Sequence, residues 1–303
     1  VAHASANSLK IPLYEYIHKT YNLPYKDYKL PKPMMVVLEG GKHADNSTDF
    51  QEYMVSPVGM ESVRESVRAG VETYLYMKKV LKEKGYNTNV GNEGAYAPAG
   101  LKDNEEPLDI IVESIKKAGY EPGTEVAISL DPATSEIYKD GYYHLEKENR
   151  KLTSLQLIDY LSGWVDKYPI LTLEDALAED DWDFWPILTG RLGKKIRIVG
   201  DDLLVTNIER IKKAVQLKAV NAVLIKLNQI GTLTETVQSI EYTHQNDFMS
   251  IVSHRGGGET NDVTMIDLAV ATNSEFVKVG PSRGERVVKY NRLMEIEDEV
   301  IGL

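Results

Sequence analysis

The feature that most constrains this chain is a rhythm in which short apolar or β-branched runs alternate with longer amphipathic stretches. The runs are Met34–Leu38, Tyr53–Val58, Val126–Leu130, Ile170–Leu173, Ile196–Val199, Ala222–Leu227, Ser250–Ser253 and Phe276–Val279. Between them, Val63–Lys84, Asp109–Ala118, Ser154–Lys167, Asn207–Leu217, Leu233–Asn246 and Val263–Ala271 carry apolar residues every three or four positions, the helical period. This alternation predicts βα units around a mostly parallel sheet, an α/β fold. About eight strands favour closure into a barrel, and 303 residues are ordinary for one.

The residues that end these runs carry chemistry. Asp131 follows Val126–Leu130, Glu174 follows Ile170–Leu173, and Asp201 and Asp202 follow the Ile196–Gly200 segment. Lys226 ends the next run, His254 and Arg255 follow Ser253, and Lys278 lies in the last. From Glu174 to Lys278 the successive separations are 27, 25, 28 and 24 residues, about one βα unit each. In a barrel the carboxyl ends of all strands converge on one face, where active sites are built. Six successive ends therefore place three carboxylates, two lysines and a His-Arg pair around one mouth.

Taken singly, each residue has a plain structural explanation. Asp131 before Pro132 is a good helix N-cap, Asp202 suits a turn, and Glu174 and Lys226 suit solvated strand ends. Their convergence changes the balance. Three acids on neighbouring strand ends make a hard, oxygen-rich site suited to magnesium. Two lysines facing it are costly unless a metal and an anionic substrate lie between them, and their mutual repulsion together with the nearby metal charge is expected to lower the Lys226 pKa toward that of a general base. The residues alone therefore point to metal-assisted proton chemistry on an anionic substrate.

Composition excludes other classes. Thirty-five Lys and Arg against 46 Asp and Glu give a net charge of −11, which repels nucleic-acid phosphates and anionic membranes. The chain contains no cysteine, hence no disulfide, thiolate metal site or cysteine nucleophile. There is no apolar run of membrane-spanning length and no signal-peptide pattern at Val1–Lys10, so a cytoplasmic location is expected.

Long ordered blocks give a more specific reading. They include Pro33-Met34-Met35 through Asp45-Asn46, Gln51 to Met54, Val90-Gly91-Asn92-Glu93-Gly94, Leu173-Glu174-Asp175, Leu224 to Gly231, Ser253-His254-Arg255 and Gly258-Glu259-Thr260. In these blocks the chain resembles the enolases, which interconvert 2-phosphoglycerate and phosphoenolpyruvate in glycolysis. The resemblance implies an enolase-type (β/α)8 barrel over residues 33–303, preceded over 1–32 by the end of an α+β N-terminal domain. It also implies Mg2+ bound by Asp131, Glu174 and Asp201, with Lys226 as the base at carbon 2. Glu93 would be the acid at carbon 3, with Glu52 beside it. Lys278 would hold the substrate carboxylate, Arg255 and Gly256 the phosphate, and His43 and His254 the rest of the pocket. A phosphorylated small acid as substrate and a homo-oligomer follow from the same resemblance, with no nucleic-acid or membrane partner.

The sequence also departs from the enolase pattern. Gly256 stands where the family has Ser and opens a three-glycine run, Asn92 replaces an Asp, and the loop after Lys278 is one residue short. The chain begins without Met inside what reads as a helix (Ala2, Ala6, Leu9, then Ile11 to Tyr14), so the lid loop and the C-terminal tail of the family are expected to be missing. Two alternatives follow: an enolase-fold binding protein with impaired catalysis, or an enolase-superfamily enzyme for another acid.

Overall fold

The structure is a computed structural model and describes residues 1–302; position 303, the end of the expected barrel segment, lies outside the described residues. The strands are β1 (Lys32–Glu39), β2 (Glu52–Pro57), β3 (Val126–Asp131), β4 (Tyr138–Lys139), β5 (Tyr142–Leu145), β6 (Arg150–Leu152), β7 (Ile170–Glu174), β8 (Arg197–Gly200), β9 (Ala222–Ile225), β10 (Met249–Ser253) and β11 (Phe276–Val279). Eight of them close into a barrel in the order β1-β11-β10-β9-β8-β7-β3-β2. These are the eight runs expected from the sequence. β4, β5 and β6 form a separate antiparallel sheet.

One barrel strand runs backwards. β2 is antiparallel to both β1 and β3, while the remaining neighbours are parallel. Residues 40–51, which join β1 to β2, hold only a short 3-10 turn, Gly41–His43, and no crossover helix. A reversed connection needs none, whereas parallel strands do. The reversal has a consequence on the far side. To return from the end of β2 to the start of β3 the chain uses two helices, Val63–Glu83 and Glu106–Lys117, and the connection between them comes back to the strand-end face. Tyr96 in that connection donates its backbone N–H to Val37 and accepts one from Glu39.

Alternation along the strands divides the core in two. Met34 and Val36 of β1, Leu224 of β9 and Ile251 of β10 pack in the barrel interior with Met54 and Val199. Their neighbours Met35, Val37, Val223, Ile225 and Val252 belong to the larger cluster that covers the barrel with helices. The helix expected across the chain start is two helices, Ala2–Leu9 and Leu13–Thr20, because Pro12 disfavours helical geometry in the residue before it. Both lean on the helix Thr264–Ala271: His3 hydrogen-bonds Thr264 at 2.8 Å, and the Tyr14 N–H donates to Asp267 at 3.3 Å. No helix among the described residues is long and apolar enough to cross a membrane.

Leu224 is fully buried inside the barrel, so truncating it leaves a void that a closed sheet cannot collapse around. Leu224→Ala is expected to lower unfolding free energy by about 2–5 kcal/mol, measured by urea denaturation, without a change in secondary structure.

Candidate active site

Every barrel strand delivers an ionisable side chain to one face. β1 ends in Glu39, β3 in Asp131 and β7 in Glu174, and β2, being reversed, begins there with Glu52. Asp201, Lys226 and His254 immediately follow β8, β9 and β10, and Lys278 lies near the end of β11. Register aligns the acids, with Glu39 paired to Glu52 and Glu52 to Asp131. Glu93 has no strand; it reaches the mouth on the connection between the two helices that follow β2.

Ten of the eleven residues singled out in the sequence line one cleft of about 170 Å³: His43, Glu52, Glu93, Asp131, Asp201, Lys226, His254, Arg255, Gly256 and Lys278. The eleventh, Glu174, lies fully buried beneath it. The floor is an ion cluster centred on the Lys278 ammonium, which lies 2.6 Å from Glu174, 2.8 Å from Asp131 and 2.9 Å from Glu52. Burial alone would lower the Lys278 pKa, but Asp131, Glu174 and Glu52 outweigh it and hold the lysine well above its ordinary range. Glu174 goes the other way: burial, reinforced by the Asp131 charge, raises its carboxyl well above the usual value despite Lys278.

Lys226 forms an ion pair and hydrogen bond with Asp201. The sequence predicted a Lys226 pKa lowered by Lys278 and a bound metal together; the protein's own groups alone raise it. Burial and the charge of Lys278 do pull it down, but Asp201 and Glu174 pull harder in the other direction. The Lys226 backbone is fixed by a 2.8 Å hydrogen bond from its N–H to Thr206 Oγ1. Thr206 and its neighbour Val205 are both left-handed, at φ 56° and 46°, and a β-branched residue adopts that conformation only at a cost.

Glu93 is packed between two glycines. A Cβ at Gly256 would lie 2.0 Å from Glu93 Oε1, and one at Gly280 would lie 3.0 Å from Oε2. Any larger residue at position 256 would therefore displace Glu93 from this position. Burial, with the Glu52 charge, raises the Glu93 carboxyl well above its ordinary range, which favours the protonated form that a proton donor needs. His43 Nδ1 stands 3.4 Å from Glu52, and His254 Nε2 stands 3.6 Å from Glu93. Arg255, on the rim, makes no ion pair among the described residues and is exposed.

A family model for the enolase C-terminal TIM barrel domain matches residues 27–302. The chain belongs to that enolase family. Its barrel, with β2 reversed, and its acidic mouth are therefore those of an enolase-like protein, and the chemistry of a lyase or dehydratase is the class that this membership suggests.

The carboxylates of this enolase barrel fit a divalent cation. Glu174 Oε2 and Asp201 Oδ1 are buried and accept no hydrogen bond among the described residues, and all three expected ligands offer oxygen, as a hard cation requires. The ligating atoms that approach within 4.8 Å of one another in threes belong, among the described residues, to other sets: His43, Glu52 and Glu93, and Asp175, Asp201 and Asp202. Asp131 and Glu174 are instead gathered around Lys278.

Two site residues were missed in the sequence. Glu39 is fully buried and receives the backbone N–H groups of Glu93 and Gly94, each at 3.2 Å, so it anchors the turn that carries the acid. Its signal was its position directly after Met34–Leu38, the rule that found the other strand-end residues. Asp175 receives the N–H groups of Asp201 and Asp202 at 3.0 and 2.7 Å and so positions a proposed cation ligand; its signal was the doublet Glu174-Asp175.

Burial raises Glu39 from 4.5 to about 7, despite the backbone N–H groups that it accepts. A carboxyl with a raised folded-state pKa adds stability that is complete below its unfolded value and lost as pH rises through the folded one. Relative to Glu39→Gln, the wild-type chain should therefore lose about 3 kcal/mol of stability between about pH 4 and about pH 8, measured by urea unfolding across that range.

Proposed function

We propose that this chain dehydrates 2-phosphoglycerate reversibly to phosphoenolpyruvate. The observation that carries the reading is one cleft holding an amine on a strand end, Lys226, a buried carboxyl with a raised pKa, Glu93, and an unpaired arginine at the rim, Arg255. In its neutral form the Lys226 amine takes the proton from carbon 2. Glu93 delivers its proton to the carbon 3 hydroxyl, which leaves as water while the bonding pair from the broken C–H bond forms the carbon–carbon double bond. Lys278, kept cationic by the floor carboxylates, faces the substrate carboxylate, whose negative charge grows as the proton departs. Arg255 supplies a guanidinium to the phosphate, and the backbone N–H groups of a glycine-rich loop beside it suit the same anion. His43 and Glu52 border the side from which the hydroxyl leaves.

Asp131, Glu174 and Asp201 would hold Mg2+. When bound, the cation supplies positive charge for the substrate carboxylate and offsets the Asp201 charge that keeps Lys226 protonated.

A second reading, a binding protein on this fold, draws on the raised Lys226 pKa, since a lysine held protonated is no base. The absorbance of the phosphoenolpyruvate product at about 240 nm separates the two, because a positioned acid or base contributes about 10²–10⁴-fold to rate. A magnesium-dependent rise is expected with 2-phosphoglycerate, abolished by EDTA, and Lys226→Ala should reduce kcat by that factor or more. Normal turnover in Lys226→Ala would overturn the assignment. Binding of 2-phosphoglycerate by calorimetry with no turnover would favour the second reading.

A further inference from the structure

Glu259 is partly buried beside the cleft and has no role in the chemistry described above. It is held from several sides: His254 Nδ1 lies 2.5 Å from its Oε2, Lys289 Nζ 2.6 Å from its Oε1, and Arg286 Nε 3.7 Å from Oε2. The opposite ring nitrogen, His254 Nε2, faces Glu93 Oε2 at 3.6 Å. Both side chains in that second contact are almost wholly buried, and Glu93 Oε2 accepts no hydrogen bond among the described residues. The three groups therefore form a line that ends at the cleft: carboxylate, imidazole, carboxyl.

We infer that Glu259 is a positioning residue that fixes His254 as the Nδ1–H tautomer and thereby keeps Glu93 in its protonated, proton-donating form. The inference rests on the dehydratase reading for its kinetic consequence but not for its structural one. A carboxylate at 2.5 Å from Nδ1 requires the proton on that nitrogen, because two lone pairs at that distance repel. Glu259 stays ionised: although burial opposes it, His254 and Lys289 bring its pKa down to about 2. Burial keeps the imidazole neutral, since it outweighs the attraction of Glu259 and lowers the His254 pKa. A neutral ring with its proton on Nδ1 presents a bare lone pair at Nε2. At 3.6 Å that lone pair makes no hydrogen bond, but it faces Glu93 Oε2 and disfavours the negative charge of an ionised Glu93. The other tautomer would place an N–H against Glu93 and stabilise the carboxylate.

The charges facing this pair are few. Around His254 they are Glu259, Arg286 and Glu52, with Glu93 at 3.6 Å. Around Glu93 they are Glu52, Arg286, Lys278 and Glu39. Of these, Glu259 alone contacts Nδ1 as a hydrogen-bond acceptor, and so it sets the tautomer.

Two variants test the inference. Glu259→Met removes the acceptor; Glu259→Gln keeps a neutral acceptor while likewise removing the charge that faces Lys289. Long-range proton–nitrogen spectra of histidine-labelled protein, with the His254 signals assigned by their loss in His254→Gln, read the tautomer directly. The Nδ1–H form is expected in the wild type and in Glu259→Gln, and the Nε2–H form in Glu259→Met. In 2-phosphoglycerate turnover, Glu259→Met should lose about 10-fold or more in kcat with KM nearly unchanged, and the alkaline limb of its kcat profile should move about one pH unit lower. Glu259→Gln should keep kcat within about threefold. A wild-type His254 protonated on Nε2, or equal losses in the two variants with no movement of the alkaline limb, would overturn the inference. A wild-type chain with the expected tautomer but no turnover would instead overturn the dehydratase reading and leave the tautomer assignment standing.

Discussion

The mouth of this barrel depends on one buried ammonium. Glu52, Asp131 and Glu174 meet on adjacent strands because the barrel register leaves them nowhere else to go, and carboxylates that close cannot all ionise in a dry floor without a counter-charge. Lys278 supplies it from the strand next to β1, across the barrel from Glu174, within 2.6–2.9 Å of all three. The remaining acids are handled differently. Asp201 is paired with Lys226, Asp175 is tied into backbone N–H groups, burial raises Glu39 to about 7, and burial holds the Glu93 carboxyl well above its ordinary range. The same electrostatic pressure that threatens the fold sets the protonation states that the proposed chemistry uses.

Rigid supports keep these charges in place. Left-handed residues cluster where strands hand over to loops on this face: Ala133 after β3, Asp175 after β7, and Val205 and Thr206 in the turn after β8. Such backbone persists only where hydrogen bonds over-determine it, and here they do. Asp175 carries two N–H donors and Thr206 carries that of Lys226.

Much of this was legible in the sequence because a barrel repeats one simple rule. Each strand is a short buried run, and the residue that ends it faces the mouth, so Asp131, Glu174, Asp201, Lys226 and His254 could be read by position. The same rule reaches Glu39, which directly follows Met34–Leu38. What could not be read depends on three-dimensional neighbours. The two- to four-residue strands β4–β6 are too short and polar for a periodic signal, and the helix Trp185–Leu192 is only two turns long. The direction of the Lys226 shift depended on whether Asp201 or Lys278 lay closer, which spacing along the chain does not determine. The tight fit of Glu93 against Gly256 and Gly280 joins segments more than 150 residues apart.

The reversed strand β2 has a mechanical consequence. Lys226 is carried by the end of a barrel strand and inherits the stiffness of a closed sheet. Glu93 is carried by the span between two helices on the outer layer, moored to the barrel at Glu39 and Tyr96. The two sides of the cleft therefore stand on separate mountings. One is as immobile as the barrel; the other can be raised, tilted or lengthened by changes in two outer helices that leave every barrel strand untouched. Evolution thus has a way to retune the Glu93 side of such a site without reopening the geometry of the Lys226 side.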